Sequence, residues 1–585
     1  MPEKLLTNRE GSDASSTACI YTAISFAPVQ GFIEKSRKLR DLYGASQILS
    51  YLSYRIVEAA KRLEGITVIS PAIREGELSI DLIQGMPNRI LIVGAINHDR
   101  AFNLFRDTLN DAWGKIIKAC KDWVEREITN DDINHKYNWN SYDWNMSWKR
   151  WEMHAWEIFV GQNNSKDDQN NPIHSAMRDL ETRKLRRAWT VPNWNGESSS
   201  LSGHDAIAYP NMDREITKEN KRNAGRERDE IVDFYQSLAA ALENSKQQDE
   251  PKYLDPSEKL SIPELIKRLV THHQVSTLVD RIATENRIIR RGDPRPVFRI
   301  DNFSELLRKD DESGETYWTG WFMGDGDEVG KHLKELSDLP SPHDAEAVTE
   351  FSAKLRNSGS SFQDGFERKR RGRVVYAGGD DFFGVMYSHK KGIHLNGADA
   401  IDWLIDLNKD WKSNNLGINL SVGFVWAGHS VPQRDVLQHC REAEKRAKNL
   451  GHDRITIRII FNNGQFVQWT TPWECLKWLK DYRDRDGTQT YFKNKETGNY
   501  ELTGKKANWS HVYGDLAQLK ARHAIPPKNP KPKNEDIAIE LLNLYFGNDK
   551  GTNLSDNREK ITGGSDTKSV IEWIENMIRV GWQLC

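Results

Sequence analysis

Residues 374–386 read VVYAGGDDFFGVM, two glycines and two aspartates set between runs that are apolar on both faces. Such runs belong to strands in the middle of a sheet. The segment therefore predicts a buried hairpin, with strands over 374–377 and 381–387 joined across Gly378 and Gly379. Glycine supplies the positive φ of a tight turn and lets a ligand approach the backbone. A polar surface turn would explain GGDD alone, but buried aspartates between apolar strands need a compensating partner.

The neighbouring pattern supplies one. The strand TYWTGWFMG (316–324) runs into DGDEVG, which puts Asp325 and Asp327 at a strand's C-terminal end. A helix DEVGKHLKELS, a second helix from 343 to about 357, the hairpin, a helix NGADAIDWLIDLNKDWKSN, a strand over 418–428, a helix PQRDVLQHCREAEKRAKNLG and a strand ITIRIIF follow. In a βαββαβ sheet the first strand lies beside the hairpin, so Asp325, Asp327, Asp380 and Asp381 converge. Crowded carboxylates repel one another. A hard divalent cation such as Mg²⁺ relieves that repulsion, and a pair of them would serve nucleotidyl transfer to a ribose hydroxyl.

The N-terminal part begins the same way: a strand over 19–29, a helix over 30–64, strands GITVISPAI and NRILIVGAI, and a helix from His98. The chain thus reads as α+β, with two ferredoxin-like (βαββαβ) units related by pattern rather than by residue identity. The predicted division is a polar tail (1–18), a first unit (19–130), a helical connector (131–305), a second unit (306–465) and a C-terminal helical domain (466–585). The connector holds several of the 20 tryptophans between 137 and 159, read as a helical insert packing aromatics, then a loop over 243–260 and a helix SIPELIKRLVTHH. PPKNPKPKN (526–534) reads as an extended linker.

Composition narrows the setting. With 83 Lys and Arg against 85 Asp and Glu, any nucleic-acid contact must come from local patches such as NRIIRRGDPRPVFR (286–299) or FERKRRGR (366–373), which read equally well as solvated faces. Cys19, Cys120, Cys440, Cys475 and Cys585 form no paired motif, which fits a reducing cytoplasm. The acidic start has no apolar core and no run approaches 18 apolar residues, so neither a signal peptide nor a membrane span is expected.

MGDGDEVGKHL and VVYAGGDDFFGVM together resemble the Palm domain of the polymerase/cyclase superfamily, which includes GGDEF diguanylate cyclases and the large subunit of type III CRISPR effector complexes. SFAPVQGFIEKSRKLRDLYGASQILSYL (25–52), SLSGHDAIAY (200–209) and EKLSIPELIKRL (258–269) are similar to the Cmr (III-B) branch of that subunit. The resemblance implies two Palm-type domains and synthesis of a nucleotide second messenger, cyclic oligoadenylate, from ATP with Mg²⁺ or Mn²⁺ when target RNA pairs with crRNA. It implies other Cmr-type subunits, crRNA and target RNA as partners.

Carried over, Asp325, Asp380 and Asp381 are catalytic and hold metal, with Asp327 a further ligand. Gly326, Gly378, Gly379, Lys448 and Ser46 are nucleotide-binding. Arg37, Lys38 and Arg40 either join Ser46 in a second nucleotide site or meet a partner, while Ser421 and Gly423 lie structurally beneath the nucleotide. A variant of the family joins ATP to S-adenosylmethionine; a stand-alone diguanylate cyclase and an inactive scaffold are the other readings. Palm-like sequence from residue 19 leaves no room for the HD nuclease domain of many members, and the dispersed pairs His98/Asp99, His204/Asp205, His343/Asp344 and His452/Asp453 do not replace it, so no DNase activity is expected. The connector lacks the family's zinc cysteines, and packing alone is expected to hold it. His452 stands where related cyclases often carry Arg.

Overall fold

The computed structural model describes residues 20–585 apart from 74–84, 129–136, 164–170, 187–196, 212–223, 246–251, 276–305, 310–312, 389–391, 495–498 and positions 307, 341, 370 and 527. The basic stretch 286–299 and the tail 1–18 lie outside the described residues.

The first sheet contains β1 (Tyr21–Ala27), β2 (Thr67–Ser70), β3 (Arg89–Val93) and β4 (Glu157–Gln162) in the order β2-β3-β1-β4, all antiparallel. Alternation along each strand divides its residues between two faces. Ile24, Phe26, Ile90 and Ile92 join the core beneath the helices Leu39–Lys61 and His98–Glu127. Tyr21, Ala23, Leu91 and Phe159 face the helix Pro172–Leu185 and Val348 of the second unit.

The fourth strand corrects the sequence reading of 137–159. Only Tyr142–His154 is helical there, and Glu157–Gln162 pairs with β1 along its length. Tryptophans 144, 148 and 151 keep a helical spacing up to the strand, so the change of period from 3.6 to 2 was hidden.

The second sheet contains β5 (Thr319–Gly326), β6 (Gly372–Gly378), β7 (Asp381–Met386), β8 (Leu420–Ala427), β9 (Arg454–Ile460) and β10 (Phe466–Pro472) in the order β10-β9-β8-β5-β7-β6. Only β8 and β9 run parallel. Between β5 and β7 two glycines stand opposite phenylalanines: Phe322 faces Gly384 and Gly324 faces Phe382. A Cβ on Gly324 would lie 2.2 Å from the Phe382 ring, and one on Gly384 2.3 Å from Phe322. These glycines make room for two large side chains in one layer.

Two boundaries differ from expectation. The helix predicted to end near 357 runs from His343 to Arg368, because Phe351, Leu355, Phe362 and Phe366 keep one apolar face through the small polar run NSGSS. The region after 465 opens with β10, which adds a strand to the sheet before the C-terminal helices begin. Those helices, Ser510–Ala521, Pro532–Phe546, Asn548–Asp556, Arg558–Thr562 and Thr567–Leu584, share a core with the second sheet. A small hairpin, β11 (Tyr491–Lys493) and β12 (Tyr500–Leu502), precedes them. The expected linker is shorter than 526–534, since Pro532 starts a helix at the position proline tolerates. No helix among the described residues is long and apolar enough to cross a membrane.

Packing alone does not hold the connector. Its helix Ile262–Leu269 carries Arg268, which is fully buried and donates to both Asp41 oxygens at 2.5 and 2.8 Å and to Glu258 at 3.0 Å. Glu264 accepts from the Ser199 hydroxyl at 2.5 Å and from Ser261 at 2.8 and 2.9 Å. Ser199 and Ser261 thus join a buried polar network, whose hydrogen bonds satisfy the charges that burial exposes to low dielectric.

Candidate active site

Strand parity decides where the carboxylates point. Asp325 and Asp381 are direct cross-strand partners on β5 and β7, so their side chains leave the sheet on the same face. Trp321, Phe383 and Val385 share that face, which the helix Gln433–Asn449 covers. A Cβ on Gly423 would meet that helix's backbone at 2.4 Å, so glycine on β8 lets the helix sit close. That approach brings Lys448 into an ion pair with Asp325 and, at 2.6 Å, with Glu444 one turn before it.

The turn itself adds Asp380, whose carbonyl accepts from the Gly326 N–H at 2.9 Å. Burial first, and then the charge on Asp325, pushes the Asp380 carboxyl up to about 6. Asp381 presents exposed surface at the start of β7, yet the surrounding protein and the charges of Asp380 and Asp325 hold it well above the ordinary carboxylate range. Burial also raises Asp325, against the opposing pull of Lys448. For Lys448 burial works downward, but its contacts with Asp325 and Glu444 prevail and keep its ammonium above the usual lysine range.

Asp327 is turned to another task. Its carboxylate accepts from the Ser421 hydroxyl at 2.6 Å and the Asp453 N–H at 2.8 Å, and lies 3.0 Å from His452 Nδ1. His452 and Asp453 both have left-handed backbone, φ 60° and 47°, a conformation that costs non-glycine residues energy and is held here by Asp327. Asp327 is thus held by its own donors, yet its charge still bears on Asp325 and raises that carboxyl.

No group of three or more His, Cys, Asp or Glu among the described residues is arranged to hold a metal ion as it stands. The donor chemistry nonetheless fits a hard cation. Asp325 raises Asp380, both raise Asp381, and Asp327 raises Asp325, and Mg²⁺ needs only one or two protein carboxylates, taking its remaining ligands from water and phosphate.

The three glycines expected to meet a nucleotide separate into two kinds. A Cβ on Gly326 would crowd Ile418 at 2.8 Å and Asp380 at 3.2 Å, and one on Gly378 would lie 2.9 Å from Gly85 of the first unit. Gly379, at φ +69°, has nothing within 4 Å. The turn borders a cavity of about 410 Å³ between the units, lined by Gly379 and Asp380 with Arg89, Lys334, Phe351 and Leu355. A second cavity of about 230 Å³ reaches Gly379 and Asp381 from the side of Phe362, Phe382 and Trp403.

Among the first-unit candidates, Lys38 is paired with Glu258, and the Arg40 guanidinium stacks 3.9 Å from the Tyr253 ring, so both face the connector. Ser46 is buried on the helix Leu39–Lys61, one turn before Ser50, whose hydroxyl accepts from the Met86 N–H at 3.1 Å beside Gly85. Sequence reasoning missed Glu444 and Arg89. An i, i+4 acidic partner to Lys448 was a readable signal for Glu444; nothing local marks Arg89.

Two family models match the sequence: one described as Cas10/Cmr2, second palm domain, over residues 318–456, and one described as CRISPR-associated protein Cmr2, N-terminal, over residues 21–128. No curated protein sequence matches. A chain of the type III-B Cmr-beta structure in the apo state, solved by cryo-EM, superposes with a TM-score of 0.54 at 12% identity, covering 90% of this chain and 77% of that one. Csm1 of T. onnurineus gives a TM-score of 0.43 at 13% identity over 96% and 69% of the two chains. A Csm1–Csm4 cassette in complex with cA4 gives 0.43 at 12% identity over 96% and 69%. The likeness of fold rests on the first of these.

Proposed function

Because the chain belongs to the Cas10/Cmr2 family, we propose that it is the nucleotidyltransferase subunit of a type III-B effector complex, which makes cyclic oligoadenylate from ATP when target RNA pairs with the crRNA. The other Cmr-type subunits, crRNA and target RNA are its partners in this reading. We read the two sheets as ferredoxin-like Palm units, the first extending through β4, followed by a C-terminal helical domain.

The observation that carries the proposal is the pairing of Asp325 with Asp381 on one face of the sheet, next to Asp380 and under Lys448. Three carboxylates raised above their ordinary range are poorly placed for a purely structural role, since each weakens the metal-free fold. They would hold Mg²⁺ or Mn²⁺, which lowers the pKa of an attacking ribose hydroxyl and offsets charge on the triphosphate. The chain's own groups do the rest. Lys448 steadies Asp325 and turns its ammonium to a phosphate oxygen; Gly379, open and without a Cβ, lets phosphate reach backbone. The cavity of about 410 Å³ is in the size range of small-ligand sites and suits a nucleotide. Asp327 holds the His452–Asp453 corner in place behind the site.

Mass spectrometry of the products formed by the RNA-loaded complex with ATP and Mg²⁺ or Mn²⁺, with and without target RNA, tests this reading. Adenylate rings that require target RNA, and vanish in the Asp380→Ala/Asp381→Ala variant while crRNA assembly persists, are the expected outcome. Undiminished synthesis by that variant overturns the mechanism. A product that needs added S-adenosylmethionine keeps the site and changes the substrate, and no product in any arm leaves the subunit a scaffold.

A further inference from the structure

The seam between the two units reaches the catalytic turn at one point. Gly85 precedes β3 in the first unit, and Gly378 ends β6 in the second. A Cβ built on Gly85 would stand 2.6 Å from the Gly378 Cα and 3.0 Å from its nitrogen, and one on Gly378 would stand 2.9 Å from the Gly85 Cα. Backbone lies against backbone with no side chain between. Gly85 also has φ +69°, so two independent constraints exclude a Cβ there.

The segments around this contact are pinned on both sides. Met86, the next residue, donates its N–H to Ser50 at 3.1 Å. Upstream, the Ala72 N–H donates to the Ser352 hydroxyl at 3.0 Å, and the Ala72 carbonyl accepts from Arg356 at 2.8 Å. Ser352, Arg356 and Gly359 lie four and three residues apart, on one stripe of the helix His343–Arg368. A Cβ on Gly359 would meet the Ala377 carbonyl at 2.9 Å, so the same stripe presses on β6 just before the turn. The first unit therefore touches Gly378 directly and grips the helix that backs it.

We propose that Gly85 is a positioning residue for nucleotide synthesis, resting on the function proposed above: by seating against Gly378 it fixes the GGDD turn, so that the carboxylates of the second unit are placed by the first. Gly85 touches no substrate atom in this account. Its contribution is to the geometry of Asp380 and Asp381, where displacement by about 1 Å costs on the order of 100-fold in rate.

The experiment uses the assembled, RNA-loaded complex carrying Gly85→Ala. Synthesis from ATP is expected to fall about 10–100-fold in kcat with KM within about twofold, and the peptide spanning 374–386 to exchange amide hydrogens faster than in the unsubstituted complex. Gly65→Ala is the control: Gly65 has φ +74° but open space around it, so it repeats the backbone strain without the clash and should leave both readings unchanged. Where Gly85→Ala fails to assemble, Ser352→Ala, which removes one anchor of the Ala72 segment, is expected to lower kcat by about two- to fivefold and to speed exchange over 374–386. Unaltered kcat and exchange in the assembled variant overturn the proposal. If the unsubstituted complex makes no nucleotide, the proposed function fails, and the exchange of 374–386 still decides whether Gly85 sets the turn.

Discussion

The two sheets share an order of four antiparallel strands, β2-β3-β1-β4 in one and β6-β7-β5-β8 in the other, yet they fill one corresponding position in opposite ways. In the second sheet the first residue of β7, Asp381, pairs with Asp325 of β5. In the first sheet the first residue of β3, Arg89, pairs with Ser25 of β1. Two acids stand in one and a hydroxyl and a guanidinium in the other. The connections differ as well: Gly379 and Asp380 alone separate β6 from β7, whereas 18 residues separate β2, ending at Ser70, from β3, beginning at Arg89. A shared scaffold thus gives a charged tip where the turn is short, and where the connection is long Gly85, near its end, meets the other unit. Function resides in what the strand ends carry, not in the strand order.

The largest test of this contrast exchanges charge for its neutral isostere in the second sheet. Asp381→Asn and Asp325→Asn should each lower synthesis about 100-fold or more, since an amide cannot replace an anionic oxygen donor, while Ser25→Ala in the first sheet leaves it within about twofold. Product rates from assembled complexes measure both.

Asp380→Asn carries a sign as well as a size. A carboxyl at about 6 in the folded chain and near 4 when unfolded binds more protons folded than unfolded between those values. Stability of the metal-free protein therefore falls as pH rises through about 4 to 6 and stays lower above it. Asparagine removes this term, so the variant should melt higher than its parent at pH 7.5, by on the order of 1–2 kcal/mol after allowance for solvent screening, and the difference should vanish at pH 4. In the parent the Mg²⁺ concentration giving half-maximal synthesis should rise as pH falls below about 6, because protons and metal compete for the same oxygens. A melting point unchanged at pH 7.5 would show that Asp380 bears no strain of charge.

Lys448→Met comes next. Losing the ammonium leaves Asp325 and Glu444 without their shared partner, which raises both acids further. Synthesis should fall about 10–30-fold at pH 7 and recover partly at pH 8.5, and a pH–rate profile reads the shift of the acid limb directly.

How much of this was legible beforehand follows from range along the chain. The hairpin, its glycines and the neighbouring DGD strand were readable because alternation and turn chemistry are local, and the strand order then follows from topology. β4 was concealed by tryptophans that keep helical spacing up to Ala155, and the end of the helix His343–Arg368 by a run of small polar residues that its apolar face overrides. The hydrogen bonds that hold Asp327 come from Ser421, His452 and Asp453, about a hundred residues away, and the contact of Gly85 with Gly378 spans nearly three hundred. No local pattern encodes a fit between two backbones that far apart.

Arg89 sets the smallest and sharpest test, because it is the point where the first sheet's charge bears on the second sheet's acids. It lines the same cavity as Asp380 and lowers that carboxyl's pKa, though burial and Asp325 outweigh it. Its side chain is more than half exposed, at 57%, and its guanidinium is already paired with Glu181 at 2.8 Å, so most of its field is screened. Arg89→Gln should therefore change synthesis at pH 8 by less than about twofold, while moving the acid limb of the pH–rate profile upward by a few tenths of a unit. Raising the salt to 0.5 M should bring the parent profile toward that of the variant, since screening and substitution remove the same interaction. If the limb stays in place in both experiments, the first sheet acts on the turn through shape alone, and Gly85 is its whole contribution.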